Sequence, residues 1–354
     1  MIQQFLFKLL MMPFALLYGV GVWIRNGLYN IGFLKGIEFN VPVISIGNLT
    51  VGGAGKSPHI EYLVRVLKNY IYVSTLSRGY KRRTKGFLTV RVNNRAEEVG
   101  DEPLQFKRKF PDVGVYVSES REIGIPKIMA SRPETQVILL DDAFQHRSVK
   151  PGINILLTEY DDLFVDDFIL PVGRLREWPS SYRRADTIVV TKCPLDLDES
   201  EKQRLISVIK PLDHQTVFFS TYQYGRPYRM FYPSVTVSLQ SNLHALVITG
   251  IARTKALINY LEDHLGSVQI IEYGDHHNFT RYEISQLKKQ FDTLDEDRKI
   301  IITTEKDAVR LEQHHAYLQQ HNLPIFILPV FVSFLDGDQP FAQHVQDYLL
   351  RFKR

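Results

Sequence analysis

Short apolar runs alternate with helical stretches along most of the chain. Runs of this kind, each followed by a segment of helical period, are typical of buried parallel strands in an open α/β sheet. The pattern therefore predicts two α/β units. The first has strands from residue 43 and at 71–77, 113–118, 136–140, 153–158 and 187–191, and the second has strands at 245–250, 268–273, 299–304 and 324–332.

Alternating segments at 217–222 and 228–237 lie between the two units and predict a two-stranded ribbon that joins them. The resulting organisation has five parts. We expect an N-terminal helix at 1–30, a larger core at 31–215, the β-ribbon linker at 216–240, a smaller α/β lobe at 241–335, and a C-terminal helix at 336–354 that packs back on the core.

The first 24 residues are almost wholly apolar, and Lys8 is the only charge in the run from Phe5 to Ile24. About 20 apolar residues can cross a bilayer as a helix. Pro13 and Gly19 favour a kinked or half-inserted helix over a straight one. No small-x-small cleavage site follows the run, which argues against a signal peptide. We expect membrane attachment, with a buried core helix as the alternative.

A glycine-rich turn follows the first strand, in the sequence VISIGNLTVGGAGKSP from Val43 to Pro58. Glycines allow positive φ angles and bring backbone N–H groups against phosphate oxygens. Thr50 stands where the usual phosphate-loop pattern has its first glycine. The segment predicts a nucleotide site formed by Gly52, Gly53, Ala54, Gly55, Lys56 and Ser57, in which the lysine contacts phosphate and the serine hydroxyl contacts Mg²⁺.

Two aspartates, Asp141 and Asp142, follow the apolar run QVILL. A carboxylate at the tip of a buried strand is what a nucleotide site needs to hold Mg²⁺ beside the serine of the loop. The two motifs, about 85 residues apart and in the right order, support each other more than either does alone.

Several further charged segments lie at predicted strand ends and turns. A basic loop from Arg78 to Arg83 follows the second strand, and Asp101 and Glu102 precede Pro103. Proline disfavours helical geometry in the residue before it, so we expect a helix only from Leu104. An N-cap without catalytic function is the alternative for this acidic pair.

Two more segments leave alternatives open. The loop at 170–179 contains Arg174, Arg176 and Glu177, which suit an anionic, amphipathic ligand but also a surface salt-bridge cluster. Asp275 precedes two histidines, and one of these could orient or relay a proton. A capping turn before the next helix explains the same residues equally well, and no cysteine stands at zinc spacing.

The composition narrows the function classes. A formal net charge of +4 with no basic block favours an anionic partner without choosing among nucleotide, nucleic acid and membrane surface. The single cysteine, Cys193, excludes an internal disulfide framework and a cysteine zinc cluster. A reducing compartment is the expected location of the folded part.

Seven motifs in one order, GNLTVGGAGKSP, SRGYKRR, GDEP, DDAFQHR, PVGRLRE, GDHHNF and TTEKD, span nearly the whole chain. Together they resemble the tetraacyldisaccharide 4'-kinases, membrane-bound enzymes of lipid A biosynthesis. The resemblance implies a P-loop NTPase-like core with a mostly parallel sheet, a smaller α/β lobe and a two-stranded linker. It also implies transfer of the γ-phosphoryl group of ATP, with Mg²⁺, to the 4'-hydroxyl of a tetraacylated disaccharide 1-phosphate, which gives lipid IVA.

The resemblance also assigns expected roles to residues of this sequence. Asp101 matches the catalytic base, supported by His276 in preference to His277. Lys56 and Asp142 match further catalytic groups, and Ser57 and Asp141 match the metal ligands, although either aspartate of the pair could be the direct ligand. The residues that match the substrate contacts are Arg78, Glu102, Gln145, Arg174, Arg176 and Glu177.

The implied location is the cytoplasmic face of the inner membrane, with no nucleic acid and no obligate protein partner. Two rival functions remain at this stage. The first is a membrane-tethered ATPase switch of the MinD-like kind without an acceptor substrate, but Val51 stands where those proteins carry a signature lysine. The second is a kinase for a soluble small molecule, which the apolar N-terminus disfavours.

Overall fold

A computed structural model describes residues 2–352, with side chains from residue 7 onward. Its strands form two sheets, in agreement with the two predicted α/β units. The larger sheet has nine strands and the smaller has six. The predicted α/β fold with a mostly parallel sheet is confirmed.

The strands of the described chain are β1 Val43–Asn48, β2 Val73–Ser77, β3 Leu88–Thr89, β4 Gly114–Val117, β5 Val137–Asp141, β6 Ile153–Glu159, β7 Thr187–Thr191, β8 Thr216–Tyr224, β9 Tyr228–Arg229, β10 Tyr232–Thr236, β11 His244–Thr249, β12 Ser267–Glu272, β13 Lys299–Thr304, β14 Ile325–Leu328 and β15 Val330–Phe334. The helices are α1 Ile2–Asn30, α2 Lys56–Leu67, α3 Ala96–Val99, α4 Asp101–Lys109, α5 Arg121–Ser131, α6 Glu199–Ile209, α7 Lys255–Glu262, α8 Arg281–Thr293, α9 Glu305–Leu311, α10 His315–Gln320 and α11 Asp338–Arg351.

The strand order is β15-β8-β7-β6-β1-β5-β2-β4-β3 in the larger sheet and β10-β9-β14-β13-β11-β12 in the smaller. The central strands of the larger sheet are buried on both faces. In β1, β5 and β6 every residue is buried, and β1 pairs in parallel with both β5 and β6. Helices cover both faces of such a sheet, which is why these strands read as continuous apolar runs and not as alternating ones. The carboxyl ends of β1, β5 and β2 consequently meet at one edge, where ligands of open α/β sheets bind.

The linker differs from the ribbon predicted at 216–240. Strand β8 joins the larger sheet beside β7, whereas β9 and β10 belong to the smaller sheet. The run predicted as one strand at 324–332 divides at Pro329 into β14 of the smaller sheet and β15 of the larger. Proline has no N–H to donate to a ladder, which explains the break. The two strands that carry the chain between lobes are therefore β8 and β15, which pair with each other in antiparallel register.

Helix α4 begins earlier than the sequence predicts. Asp101 and Glu102 lie in its first turn, although Pro103 follows them. Proline is tolerated in a first helical turn because the N–H groups there have no intrahelical partner. The expectation that Pro103 would keep Glu102 out of the helix was wrong.

The C-terminal helix packs on the larger lobe. The C-terminal helix α11 buries Phe341 and Val345 in the same core as β1 and α2. The predicted segment 336–354 extends two residues beyond the described chain, and the predicted segment 1–30 includes Met1, which also lies outside it.

Helix α1 leaves most of its apolar surface exposed. Leu10, Leu17 and Trp23 are each more than half exposed. Residues Phe7–Asn30 are long and apolar enough to cross a bilayer, by length and composition. The helix also docks on the larger lobe: Trp178 Nε1 donates to Gly19 O at 2.8 Å, and the Tyr18 hydroxyl donates to Arg176 O at 2.9 Å.

Candidate active site

The phosphate loop connects the buried end of β1 to the first residue of α2. Two of its glycines have positive φ angles, 114° at Gly52 and 87° at Gly55. A Cβ atom at residue 55 would also lie 2.4 Å from the hydroxyl oxygen of Tyr222. Glycine is therefore required at position 55 by both the backbone conformation and the available space.

Lys56 lies at the N-terminus of α2, in contact with the loop that it follows. Its Nζ atom donates to Asn48 Oδ1 at 2.9 Å and to Gly52 O at 3.4 Å. The same Asn48 oxygen accepts from Arg176 at 2.6 Å. Two cations therefore converge at the end of β1, where the helix N-terminus adds its own positive potential.

Asp141 is the last residue of β5 and Asp142 follows it, directly beside the phosphate loop. Asp142 accepts a hydrogen bond from Arg176 at 2.8 Å and lies 3.8 Å from Lys56 Nζ. Burial opposes ionisation of Asp142, but Lys56 and Arg176 hold its pKa well below its ordinary value. Burial, followed by the charges of Glu102 and Asp142, raises the pKa of Asp141 to about 7. The two adjacent carboxyls thus differ sharply in acidity.

The surroundings of Asp141 suit a divalent cation. Its side chain is buried, and Asp141 Oδ1 has no hydrogen-bond partner among the described residues. Within the described chain no three His, Cys, Asp or Glu side chains cluster closely enough to hold a metal by themselves. Mg²⁺ in nucleotide sites is commonly bound by one or two protein ligands together with phosphates and water, so this sparse donor set fits it.

Asp101 and His276 meet across the two lobes. Asp101 lies at the start of α4, His276 lies in the loop after β12, and His276 Nδ1 is 2.9 Å from Asp101 Oδ2. Burial alone would raise the pKa of Asp101, but the hydrogen bond and charge of His276, with Lys306 and Arg310, lower it. His277 instead bonds Glu283 at 3.0 Å.

Glu102 connects the aspartate–histidine pair to the acidic strand end. Its carboxylate lies 3.5 Å from Lys306 Nζ, and its charge contributes to the raised pKa of Asp141. Asp101 precedes it in the same helical turn. Glu102, next to Asp101 in the chain, is therefore near enough to Asp141 for its charge to act there.

The other residues predicted to contact substrate are more scattered. Arg176 and Gln145 both bind Asn48 at the end of β1, and Arg78 is exposed after β2. The guanidinium group of Arg174 instead forms ion pairs with Asp162 and Asp167. Glu177 is buried and accepts a hydrogen bond from Arg184 at 2.6 Å, as in the salt-bridge alternative, and its contact with substrate stays a prediction.

Several side chains at the site escaped the sequence analysis. Arg121 is fully buried and donates to Asp141 O at 3.1 Å, but as the first residue of α5 it looks like an ordinary surface arginine. Asn48 organises both Lys56 and Arg176, and its position just before the phosphate loop was the only available signal. Lys306 belongs to the TTEKD motif, but its place in the sequence did not show that it contacts His276, or that Arg310 of the same helix lies near Asp101, from the other lobe.

Comparison with known proteins gives a consistent result over the whole chain. A family model described as tetraacyldisaccharide-1-P 4'-kinase matches residues 7–350. The tetraacyldisaccharide 4'-kinase of Phocaeicola vulgatus is 42% identical over 348 residues, 97% of this chain and 95% of the relative. The protein of the same name from Flavobacterium johnsoniae is 41% identical over 344 residues, 97% of this chain and 98% of the relative.

A solved structure is also similar. The crystal structure of LpxK from Aquifex aeolicus in complex with ATP superposes with a TM-score of 0.74 at 27% identity, covering 97% of this chain and 99% of that one. A family model over nearly the full length and relatives above 40% identity establish the relationship. This chain belongs to the tetraacyldisaccharide 4'-kinase family.

Proposed function

We propose that this protein transfers the γ-phosphoryl group of ATP to the 4'-hydroxyl of a tetraacylated glucosamine disaccharide 1-phosphate. The proposal rests on one observation: the same lobe contains a phosphate loop and a buried carboxylate, that of Asp101 at the start of α4. Lys56, which follows the loop, lies 3.8 Å from Asp142, and the charge of Glu102, the neighbour of Asp101 in α4, acts on Asp141. Family membership supplies the identity of the acceptor.

In this mechanism Lys56 and the backbone N–H groups of the loop stabilise negative charge on the transferred phosphoryl group. Arg176 holds Asp142 ionised and Asn48 oriented, which keeps Lys56 in place. Ser57 and Asp141 are the proposed Mg²⁺ ligands, and the cation would supply charge neutralisation at the phosphates. Asp101, whose pKa is lowered, accepts the proton of the sugar hydroxyl as the new O–P bond forms.

The proposed location is the cytoplasmic face of the inner membrane. Helix α1 supports this proposal. Its exposed side is apolar and could enter a membrane surface, while Tyr18 on its docked side donates a hydrogen bond to Arg176 beside the phosphate loop. A lipid acceptor held in a membrane surface could then present its sugar to the site while its acyl chains stay beside the helix. Trp23 suits the headgroup level of a bilayer.

Radiolabelled ATP tests the proposal directly. The full-length protein is incubated in detergent with γ-labelled ATP, Mg²⁺ and tetraacyldisaccharide 1-phosphate, and the label in lipid and in free phosphate is measured. We expect transfer into the lipid, and loss of transfer in Lys56→Met. Label found only in free phosphate would instead favour an ATPase switch without an acceptor. In a parallel reaction a soluble glucosamine disaccharide replaces the lipid, and label in that sugar but not in the lipid would favour a soluble substrate.

A further inference from the structure

Lys306 is the second residue of α9 and contacts the aspartate–histidine pair from the smaller lobe. Its Nζ atom lies 3.1 Å from His276 Nε2, 3.2 Å from Asp275 Oδ1 and 3.5 Å from Glu102 Oε1. None of these contacts belongs to the phosphate loop or to the strand-end aspartates. The lysine therefore acts on the site through His276 and its neighbours.

Lys306 remains an ammonium group at neutral pH. Burial opposes its charge, but the carboxylates of Glu102, Asp275 and Asp101 raise the pKa of Lys306 above its ordinary value. An ammonium group donates hydrogen bonds and accepts none. The nitrogen that it contacts must then provide a lone pair.

This contact fixes the tautomer of His276. A neutral imidazole has one N–H and one acceptor nitrogen. Because Nε2 accepts from Lys306, the proton must lie on Nδ1, from which it is donated to Asp101 Oδ2 at 2.9 Å. Asp275 Oδ2 lies 3.8 Å from Nε2, too far to hold a proton there by a hydrogen bond.

The groups around the imidazole are consistent with this assignment. Asp101 and Glu102 face it from α4, Lys306 and Arg310 from α9, and Asp275 from its own loop. The Tyr80 ring lies 5.0 Å from the imidazole ring, centroid to centroid. Both nitrogens of His276 are therefore occupied, and neither has a free lone pair for a substrate proton.

We propose that Lys306 is a positioning residue that keeps Nε2 of His276 unprotonated and occupied, so that the neutral imidazole donates its Nδ1–H to Asp101, and Asp101 and not the imidazole receives the proton of the acceptor hydroxyl. In the balanced step, that proton passes to the Asp101 carboxylate, the hydroxyl oxygen bonds to phosphorus, and the bond from the γ-phosphorus to ADP breaks. His276 keeps its own proton and orients the carboxylate throughout. The kinetic part of this inference rests on the proposed function, whereas the tautomer does not.

Nitrogen NMR of ¹⁵N-histidine-labelled protein tests the tautomer without ATP or acceptor. The His276 signals are assigned by their loss in His276→Ala. We expect a protonated Nδ1 and an unprotonated Nε2 in the wild type. In Lys306→Met we expect Nδ1 to keep the proton that it donates to Asp101 and Nε2, which no longer faces an ammonium group, to gain a proton. The exposed-residue variant Lys289→Met should leave the pattern unchanged. A wild-type His276 with its proton on Nε2, or a Lys306→Met variant with the wild-type pattern, would overturn the assignment.

Turnover of the lipid acceptor tests the consequence for catalysis. We expect Lys306→Met to lower kcat at least tenfold with a KM for ATP within twofold of the wild type, and Lys306→Arg, which keeps a cationic donor, to recover most of the loss. Unchanged turnover in Lys306→Met, or equal losses in both variants, would contradict the positioning role. If the wild type transfers nothing to the lipid, the proposed function fails while the tautomer result still stands.

Discussion

Asp101 and Asp141 are both buried carboxylates, but their surroundings shift their pKa values in opposite directions. Asp101 accepts from His276 and lies near two cations, so its pKa is lowered and it is ionised at neutral pH. Asp141 has one oxygen with no hydrogen-bond partner within residues 7–352 and two other acids nearby, and burial with their charges raises its pKa to about 7. A proton acceptor and a cation ligand need these different environments.

The first prediction concerns Asp101→Asn. The amide cannot accept the hydroxyl proton, so kcat for lipid phosphorylation should fall by roughly 10²–10⁴. ATP affinity should stay within about twofold, because Asp101 is outside the phosphate loop. Steady-state kinetics and nucleotide titration measure the two effects. Asp263→Asn, at an exposed position, serves as the control, and near-normal turnover in Asp101→Asn would remove Asp101 from the mechanism.

The second prediction concerns Asp141→Asn in metal-free protein. The pKa of Asp141 is above its ordinary value, so its contribution to stability is lost as pH rises from about 4 through 7. The asparagine side chain of the variant does not ionise, so the variant does not lose stability in this way. We expect the Tm of the variant to exceed that of the wild type by a few °C at pH 8, with a smaller difference at pH 6.

With ATP present, Asp141→Asn should also require a higher Mg²⁺ concentration for half-maximal activity. The control is Asp295→Asn, an exposed position in the smaller lobe. A variant that is less stable than the wild type at pH 8, or that has an unchanged Mg²⁺ requirement, would contradict the role given to Asp141.

At the scale of elements, helix α1 combines two surfaces. Its exposed side is apolar, and its docked side is held by polar contacts to the larger lobe. Gly19 lies at that contact: a Cβ atom there would lie 2.4 Å from Trp178 Cζ2. Gly21, two residues later, has open space around it. The helix therefore needs a small residue at one position and tolerates a larger one at the other.

The third prediction compares Gly19→Ala with Gly21→Ala. Alanine favours a helix over glycine by about 1 kcal/mol, so Gly21→Ala should keep or slightly raise the Tm. Gly19→Ala should lower it, because Trp178 must move and its hydrogen bond to residue 19 is strained. Thermal unfolding in detergent measures both. Equal behaviour of the two variants would show that the docked position of α1 is not maintained in solution.

At the scale of the whole molecule, α4 and α9 form the contact between the lobes that carries the site. The N-terminal end of α4 provides Asp101, and its C-terminal residue Lys109 pairs with Glu305 of α9 at 2.7 Å and with Glu61 of α2 at 2.6 Å. Glu61 and Glu305 are both buried. Burial raises the pKa of Glu61 to about 7, although Lys109 opposes the shift.

The fourth prediction is that Lys109→Met destabilises the protein in a pH-dependent way. Removing the cation leaves two buried carboxyls unpaired, which costs on the order of 3 kcal/mol. The pKa of Glu61 rises further without Lys109, so stability continues to fall above pH 7. We expect Tm to drop by about 5 °C at pH 8 and by less at pH 6. Lys85→Met is the exposed control, and a larger drop at pH 6 than at pH 8 would contradict this account.

Local sequence signals were sufficient wherever one segment carried the whole feature. The buried strands β1, β5 and β6 were predictable because a short, unbroken apolar run is typical of a parallel strand that is buried on both faces. The phosphate loop was predictable because its backbone needs glycine at fixed positions. The linker was not, because β8 and β15 pair over more than 100 residues and the strand register decides which sheet each joins.

The sequence by itself determined the α/β class, the nucleotide loop, the acidic strand end and the apolar N-terminal helix, because each depends on residues that are neighbours in the chain. Only the tertiary structure decided which histidine contacts Asp101 and which residues Glu177 and Arg174 pair with. It also decided that Lys306 contacts the histidine of the aspartate–histidine pair. Those contacts join residues from different lobes or loops. Their geometry depends on how the two sheets pack, and that packing leaves no local pattern in the sequence.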